Sequence, residues 1–212
     1  FISTRNAAPA ATLSKAIAAG LAPDGGLYVP EALPAPRTLA PGPDVADTAA
    51  ALLTPFFARD GLEAELPAIC REAFDFPVPL RPLGTPGDHV LELFHGPTAA
   101  FKDFGARFLA PCMARLRRSE AKPRTTLVAS SDDTGAAVAA AFHRQPGLRV
   151  VVLYPDGRVS PRQAHQLGCF GDNITALRVA GSFDDCQALV KRALNDADLQ
   201  AQTPLSSANS IS

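Results

Sequence analysis

Residues 125–154 read TTLVASSDDTGAAVAAAFHRQPGLRVVVLY, and the class of fold follows from this stretch. It holds two short apolar runs, 125–129 and 149–154, which are separated by a polar turn and by the alanine-rich segment 134–143. Short runs rich in β-branched residues are typical of buried strands, and an alanine-rich segment has the composition of a helix. The stretch therefore predicts a strand-helix-strand unit whose two strands lie parallel in one sheet.

The same alternation continues on both sides of this stretch. The sequence predicts further strands at 90–94 and 174–179 and further helices at 103–117, 160–167 and 184–194. Four strands that alternate with helices, and that are too apolar to face water on one side, indicate an α/β fold. Its parallel sheet is expected to be covered by helices on both faces. Ligands bind such sheets at the carboxyl ends of the strands, where the turns 95–102 and 130–135 are predicted to lie.

The first 87 residues have a different pattern. The sequence predicts helices at 12–19, capped by Thr12 and stopped by Gly20, at 45–53, ending before Pro55, and at 62–74. Five prolines between residues 30 and 44 predict a loop, because each proline fixes φ and removes an amide donor. We therefore divide the chain into a helical and proline-rich segment, residues 1–87, and an α/β region, residues 88–212.

Composition and charge restrict the class of protein. Hydrophobic residues make up 47% of the 212 residues and charged residues 19%, which is a mixture that folds. The formal net charge of -1 provides no positive field for nucleic acid or an anionic membrane. The apolar runs are too short to cross a bilayer, and the first residues lack the pattern of a secretory signal. We therefore expect a cytoplasmic protein that binds neither nucleic acid nor membrane; its oligomeric state is unknown.

The cysteines and histidines show no metal-binding or disulfide pattern. Neither Cys-x-x-Cys spacing nor the cysteine density of a disulfide scaffold occurs among the four cysteines, Cys70, Cys112, Cys169 and Cys186. The four histidines are scattered and lack the spacing of zinc ligands. We therefore predict reduced, mostly buried thiols and no metal site.

Lys102 stands out by its neighbours. It lies in the string ELFHGPTAAFKDFG, residues 92–105, and is predicted to be in the first turn of a helix after a Gly-Pro turn. A lysine is usually a solvated surface charge. Here the flanking Phe101 and Phe104 predict an apolar wall, and such a wall and the positive end of a helix dipole both favour the uncharged amine. Because the uncharged amine is the form that attacks an aldehyde, Lys102 is predicted to be a nucleophile.

This string resembles the cofactor-lysine motif of the threonine synthase family, which belongs to the pyridoxal phosphate enzymes of the tryptophan synthase β-like fold. Similar stretches follow the family's order along nearly the whole chain: LAPDGGLYVP at 21–30, SDDTGAAV at 131–138, YP at 154–155, VSPRQ at 159–163 and SANSI at 207–211. The resemblance implies that Lys102 carries pyridoxal 5'-phosphate as a Schiff base. It also implies that the fold is incomplete at the carboxyl terminus, because these enzymes continue with a glycine-rich loop that binds the cofactor phosphate.

The polar turn 130–135 has two interpretations. Serine or aspartate at such a position caps the following helix, but the exposed amides and hydroxyls of a helix start also bind anions. The resemblance implies the second role: Ser131 and Thr134 bind the carboxylate of an amino-acid substrate, and Asp133 faces the cofactor or the substrate. Asp132 stands where the family has glycine. Its charge is predicted to weaken carboxylate binding unless the side chain turns outward and caps the helix.

The resemblance implies O-phospho-L-homoserine as the substrate, which reacts with water to give L-threonine and phosphate. The phosphate of this substrate requires positive and hydroxyl partners. Candidates in the family-like segments are Arg158, Ser160, Arg162, Asn209 and Ser210. An exposed surface position without a ligand is an equally good interpretation of each. The stretch 24–26, Asp-Gly-Gly, is interpreted as a tight turn without a ligand role.

Two alternatives stay open. Another enzyme of the same fold, such as a serine or threonine dehydratase or a cysteine synthase, is disfavoured by the signature at 23–28 and the turn at 95–98. The second alternative is a catalytically inactive homologue that binds a phosphorylated ligand or a partner protein. It is favoured by two departures from the family, because Asp132 replaces glycine and Ser212 replaces the usual asparagine.

Overall fold

The structure, a computed structural model, describes residues 1–35, 44–118 and 122–208. Its helices are α1 (Leu13–Ala19), α2 (Val45–Phe57), α3 (Leu66–Ala73), α4 (Lys102–Leu116), α5 (Asp133–Phe142), α6 (Pro161–Gly168), α7 (Phe183–Asn195) and α8 (Ala197–Gln202). Its strands are β1 (Ile2–Ser3), β2 (Tyr28–Val29), β3 (Leu80–Pro82), β4 (His89–Leu91), β5 (Arg124–Ala129), β6 (Leu148–Pro155), β7 (Ile174–Val179) and β8 (Leu205–Ser207).

A four-stranded parallel sheet with the strand order β7-β6-β5-β8 forms the centre of the fold. Thr126 of β5 pairs with Val150 of β6 on one side and with Ser206 of β8 on the other. Successive residues of β6 face opposite sides, so Val150 packs in a cluster with α5, whereas Val151 packs in a cluster with α7. The predicted α/β fold, with helices on both faces of a parallel sheet, is therefore confirmed.

The predicted strand at 90–94 does not join this sheet. The structure has β4 at His89–Leu91, which pairs antiparallel with β3 in a separate two-stranded sheet. No helix covers this hairpin in the described structure, and Val90 and Leu91 are 42% and 52% exposed. The fourth strand of the parallel sheet is instead β8. The prediction that the turn 95–102 follows a strand of the parallel sheet is therefore wrong.

Two helix boundaries in the first segment differ from the prediction. α2 does not end before Pro55 but continues to Phe57, because a proline in the last turn removes only one hydrogen bond and Phe57 gains a buried position, 2% exposed. The helix predicted at 62–74 is divided into a 3-10 turn, Glu63–Glu65, and α3. α1 has the predicted boundaries, with its N-cap and C-cap residues as expected.

The stretch 24–26 forms the tight turn that the sequence predicts. Asp24 accepts hydrogen bonds from Ser3 Oγ at 2.7 Å and from Ala7 N–H at 3.0 Å. The hydrogen bond from Ser3 is the main reason that the pKa of Asp24 lies below its usual value. Gly25 has a φ of 76°, in the left-handed region that favours glycine. The turn therefore fixes β1 against β2.

Helices from both predicted segments share one hydrophobic cluster. Ile69 of α3 and Cys112 of α4 are fully buried in it. At the rim, Arg115 of α4 donates hydrogen bonds to Glu65 at 2.6 Å and to Glu72 at 2.5 Å. Burial and charge-assisted hydrogen bonds together hold α4 against α3. The division of the chain into two domains stays a prediction.

The described cysteines are unpaired, and three of the four are buried, which agrees with the predicted buried thiols. Burial raises the pKa of Cys70 to about 11 and that of Cys112 to about 12, so both thiols stay protonated and unreactive near neutral pH. In the described ranges, no group of three or more His, Cys, Asp or Glu side chains is placed to hold a metal ion. None of the described helices has the length and apolarity that a membrane span requires.

Leu167 and Leu33 provide a matched test of the packing. Leu167 of α6 is 1% exposed, whereas Leu33 is 80% exposed. We expect Leu167→Ala to lower the free energy of unfolding by about 2–5 kcal/mol, because it removes buried apolar surface and leaves a cavity. Leu33→Ala is the control and should change it by less than about 0.5 kcal/mol. Urea unfolding followed by circular dichroism measures both, and equal effects would contradict the position of α6.

Candidate active site

A cavity of about 490 Å³ lies among α1, α2, α4 and α5. Most of its wall is apolar, as with Ile17 of α1 and Leu53 of α2. Lys102 at the start of α4 and Thr134 in the first turn of α5 contribute polar side chains, and Ala208, which follows β8, lies beside them. The starts of two helices and the end of a parallel strand thus meet at one cavity. Concave, mostly apolar cavities with a few polar groups are typical of small-molecule sites.

Lys102 is the first residue of α4, in agreement with the sequence prediction. A tight turn precedes it, in which Ala99 N–H donates to Gly96 O at 3.0 Å and Ala99 has a φ of 56°. The predicted apolar wall is only partly made by the flanking phenylalanines, because Phe101 is 63% exposed and Phe104 is half-buried. Aliphatic side chains of α1 and α2 supply the rest of the apolar surface of the cavity.

The amino terminus of α5 is capped by its own polar side chains. Asp132 Oδ1 accepts from Thr134 N–H at 3.0 Å, and Ser130 Oγ accepts from Gly135 N–H at 2.8 Å. The exposed Asp132 side chain therefore turns outward to cap the helix, which was one of the two interpretations of this turn. Two amides at this helix start are thus already used, and any anion that binds there must displace Asp132 to reach Thr134 N–H.

The other predicted residues of this turn lie outside the cavity wall. Ser131 is half-buried and Asp133 is exposed, and neither contributes to the wall that contains Lys102 and Thr134. The turn follows β5 directly, so all three residues 131, 133 and 134 stand at the carboxyl edge of the parallel sheet. The roles of Ser131 and Asp133 stay predictions.

The residues predicted to bind the substrate phosphate are not brought to Lys102. Arg158, Ser160 and Arg162 are exposed, and none of them lines the cavity. Ser160 is the N-cap of α6, where its Oγ accepts from Gln163 N–H at 3.2 Å and its N–H donates to Gln163 Oε1 at 3.0 Å. The structure thus gives Ser160 a capping role. Asn209 and Ser210 lie outside the described residues.

Arg158, Ser160 and Arg162 nevertheless share an edge of the sheet with the turn 130–135. Ser130 N–H donates to Leu153 O at 2.9 Å, which aligns the carboxyl ends of β5 and β6. Arg158 follows the end of β6, so its loop begins beside this turn. The topology of parallel strands therefore places the turn predicted to bind a carboxylate and the loop predicted to bind a phosphate at the same edge of the sheet.

Sequence reasoning missed the contribution of the first segment to the cavity. Leu13 and Ile17 of α1 and Leu53 and Phe56 of α2 form much of its wall. The signal was present in part, because Leu13 and Ile17 have the spacing of an apolar helix face. The spacing did not show what this face contacts, since the partner helix α4 lies about 90 residues further along the chain.

Comparison with known proteins identifies the family. Residues 1–74 match the family model described as threonine synthase N terminus, and residues 84–208, more than half of the chain, match that of pyridoxal-phosphate dependent enzymes. The chain belongs to the pyridoxal-phosphate dependent enzyme family. The cofactor class that the motifs implied is therefore confirmed.

Similar proteins of this pyridoxal-phosphate dependent family include several threonine synthases. The threonine synthase of Haemophilus influenzae is 41% identical over 202 residues, which cover 94% of this chain and 47% of that protein. The solved structure of pyridoxal-phosphate-bound threonine synthase from Brucella melitensis has a TM-score of 0.87 and 39% identity, covering 99% of this chain and 47% of that one. The Escherichia coli threonine synthase structure has a TM-score of 0.82 and 40% identity, covering 95% and 47%. The predicted resemblance and fold are confirmed, and the chain spans about half the length of these relatives.

The described residues could hold the aldehyde end of the family's cofactor, pyridoxal phosphate. Lys102 offers an amine in the wall of an apolar cavity large enough for a small molecule. A phosphate requires free amides at a helix start or in a glycine-rich turn. Within the described ranges, side-chain caps close the starts of α5, α6 and α7. The start of α4 has no side-chain cap, but no described helix opens with a glycine-rich loop. These residues therefore supply the amine and the cavity but no evident phosphate site.

The capping role of Asp132 can be tested by stability. We expect Asp132→Ala to lower the free energy of unfolding by about 1 kcal/mol, because it removes the acceptor for Thr134 N–H. Asp132→Asn is the matched control and should have little effect, since asparagine is an equally good N-cap. Urea unfolding measures both variants. A loss with asparagine as large as that with alanine would show that the charge of Asp132, and not its capping bond, stabilises this helix.

Proposed function

We propose that this chain supplies the cofactor lysine and part of the substrate site of a threonine synthase, which converts O-phospho-L-homoserine and water into L-threonine and phosphate. The observation that carries the proposal is that Lys102 opens α4 in the wall of a cavity that Thr134 also reaches. The match of residues 1–74 to threonine synthase amino termini supports this enzyme over other members of the family.

Lys102 acts through its Nζ in this proposal. Its primary amine, next to an apolar cavity, would hold the cofactor at the aldehyde carbon, and as a free base it would move protons between substrate carbons. When bound, pyridoxal phosphate supplies an electron sink for the negative charge on a substrate carbon. The apolar wall from α1 and α2 borders the cavity that Lys102 lines, and apolar surroundings strengthen the electrostatic interactions of an amine.

The carboxyl edge of the sheet binds the substrate in this proposal. Thr134 and Ser131 bind the substrate carboxylate, since the positive end of the α5 dipole favours an anion there, and Asp133 faces the cofactor or the substrate. Candidate partners for the substrate phosphate are Arg158, Ser160 and Arg162, which follow β6, together with Asn209 and Ser210, which lie outside the described residues. The two arginines bring positive charge to the same edge, which favours phosphate binding there.

We also propose that the chain works in the cytoplasm. Its four described cysteines are all unpaired, and unpaired thiols are typical of proteins in reducing compartments. The net charge of -1 is compatible with a small-molecule substrate and gives no reason for a polyanionic partner.

One observation favours a second candidate function, a catalytically inactive homologue that binds a phosphorylated ligand. Asp132 occupies the Thr134 amide, which the substrate carboxylate would otherwise use. A carboxylate at this position repels a second carboxylate and competes with it for the same donor.

The first test of the proposal locates the reactive lysine. Incubation of the chain with excess pyridoxal phosphate, followed by borohydride reduction and peptide mass spectrometry, should place the pyridoxyl group mainly on Lys102. The exposed Lys15 and Lys191 are internal controls, because they lie outside the cavity wall. Lys102→Arg should remove the main label and keep the fold. Labelling of Lys102 no stronger than that of Lys15 and Lys191 would contradict the assignment.

The second test concerns turnover. The chain alone should be nearly inactive, because losing several charge-assisted contacts to the cofactor phosphate weakens cofactor binding by several kcal/mol. A chimera in which this chain replaces the matching part of the Escherichia coli threonine synthase should release phosphate from O-phospho-L-homoserine and form threonine. The same chimera with Lys102→Ala should not.

The outcomes of this second test separate the candidate functions. Full turnover by the chain alone would contradict the need for a phosphate site elsewhere. A folded chimera that takes up pyridoxal phosphate but releases no product would favour the inactive homologue. Turnover of L-serine or O-acetyl-L-serine in place of O-phospho-L-homoserine would favour another enzyme of the same fold.

A further inference from the structure

The residue that follows Lys102 is a fully buried carboxylate. Asp103 is 0% exposed and lies in the first turn of α4. Burial of a carboxylate is costly unless hydrogen bonds or an opposite charge compensate it. No ion pair to Asp103 occurs within residues 1–35, 44–118 and 122–208. Hydrogen-bond donors, together with the positive end of the α4 dipole, must therefore compensate its charge.

Thr98 provides two of these donors. Its backbone N–H donates to Asp103 Oδ2 at 2.9 Å, and its Oγ1 donates to Asp103 Oδ1 at 2.7 Å. At the N-cap position of α4, Phe101 has no side-chain capping bond. Asp103 does not cap an amide of α4; it reaches back from the first turn of the helix and ties that turn to Thr98, which precedes the helix.

Gly96 shows how closely the preceding turn approaches Asp103. A Cβ atom at Gly96 would lie 2.5 Å from Asp103 Oδ2 and 2.7 Å from Asp103 Cβ, so any other residue would displace the carboxylate. Ala99, in the left-handed region, closes the turn with its hydrogen bond to Gly96 O. We call Gly96, Thr98 and Asp103 the Asp103 clamp.

We propose that Asp103 is a positioning residue, and that the Asp103 clamp fixes the backbone of Lys102 so that its Nζ stays at the cavity. The proposal rests on the proposed role of Lys102. Lys102 stands between the two ends of the clamp, because Thr98 and Asp103 lie on either side of it in the chain. Two hydrogen bonds join these two residues. A shift of about 1 Å in a reactive group can cost a large factor in rate, so a fixed backbone at this position favours reaction.

The experiment measures how selectively pyridoxal phosphate labels Lys102 in the chain. Initial rates of reductive labelling with cyanoborohydride are determined for Lys102, Lys15 and Lys191 by peptide mass spectrometry. Asp103→Ala removes both hydrogen bonds and should lower the Lys102 rate, relative to the other two lysines, by about tenfold or more. Thr98→Val keeps the shape and the backbone donor but removes the hydroxyl donor, and should lower it by about threefold or more.

Two conservative variants complete the design. In Asp103→Asn the new amide can accept from Thr98 N–H and donate to Thr98 Oγ1. The relative labelling rate of Lys102 in this variant should therefore stay within about twofold of that in the unaltered chain. Thr98→Ser keeps the hydroxyl and should also stay within about twofold. Urea unfolding of each variant reports stability separately. A purely structural role would lower stability without changing the labelling of Lys102 relative to Lys15 and Lys191.

The outcomes distinguish this inference from the proposed function. If Asp103→Ala does not fold, the result for Thr98→Val decides the test, because valine has nearly the same shape as threonine. An unchanged relative rate in folded Thr98→Val would overturn the inference, and so would a loss in Asp103→Asn as large as that in Asp103→Ala. If the unaltered chain shows no preference for Lys102, the proposed role of Lys102 is overturned, and the inference with it.

Discussion

The close approach of α5 to the end of β5 determines the geometry of the candidate site. A Cβ atom at Gly135 would lie 2.6 Å from Ser130 Cβ and 2.7 Å from Leu167 Cδ2, so only glycine allows this distance. Ser130, which is 1% exposed, then uses one hydroxyl to accept from Gly135 N–H and to donate to Asp132 O. These contacts join the end of β5 to the start of α5, and Thr134 lines the cavity. A larger residue at 135 would push the helix start away from Ser130 and from Leu167 of α6.

Sequence patterns predicted the parts of the fold that have strong local signals. The apolar runs of β5, β6 and β7 and the helices between them follow from periodicity and composition alone. β8 escaped prediction because two of its three residues are serines, and its place in the sheet comes from pairing with β5 across about 80 residues. The β4 segment was assigned to the wrong sheet. An apolar run looks the same whether or not a helix covers it, and that information lies in tertiary contacts.

The candidate site was predictable as far as chemistry depends on local sequence. Lys102 was identified by its position at a helix start beside phenylalanines, and Thr134 by the family resemblance of its turn; the structure brings both to one cavity. Asp132 and Ser160 show the limit of this reasoning. A side chain that caps a helix and a side chain that binds an anion at the same helix start use the same groups, so the sequence cannot choose between them. The apolar wall was also not predictable, because α1 and α2 meet α4 only after folding.

The β3–β4 hairpin affects the solubility of the chain. Leu80 and Leu91 face each other across it and are 59% and 52% exposed, and Val90 adds a third exposed apolar side chain. A two-stranded ribbon has two open edges whose unpaired amides and carbonyls accept a further strand from another molecule. Apolar side chains beside such edges stabilise that addition. Self-association of this chain at high concentration is therefore expected to begin at the hairpin, and lysine substitutions at its exposed leucines should delay aggregation without disturbing the parallel sheet.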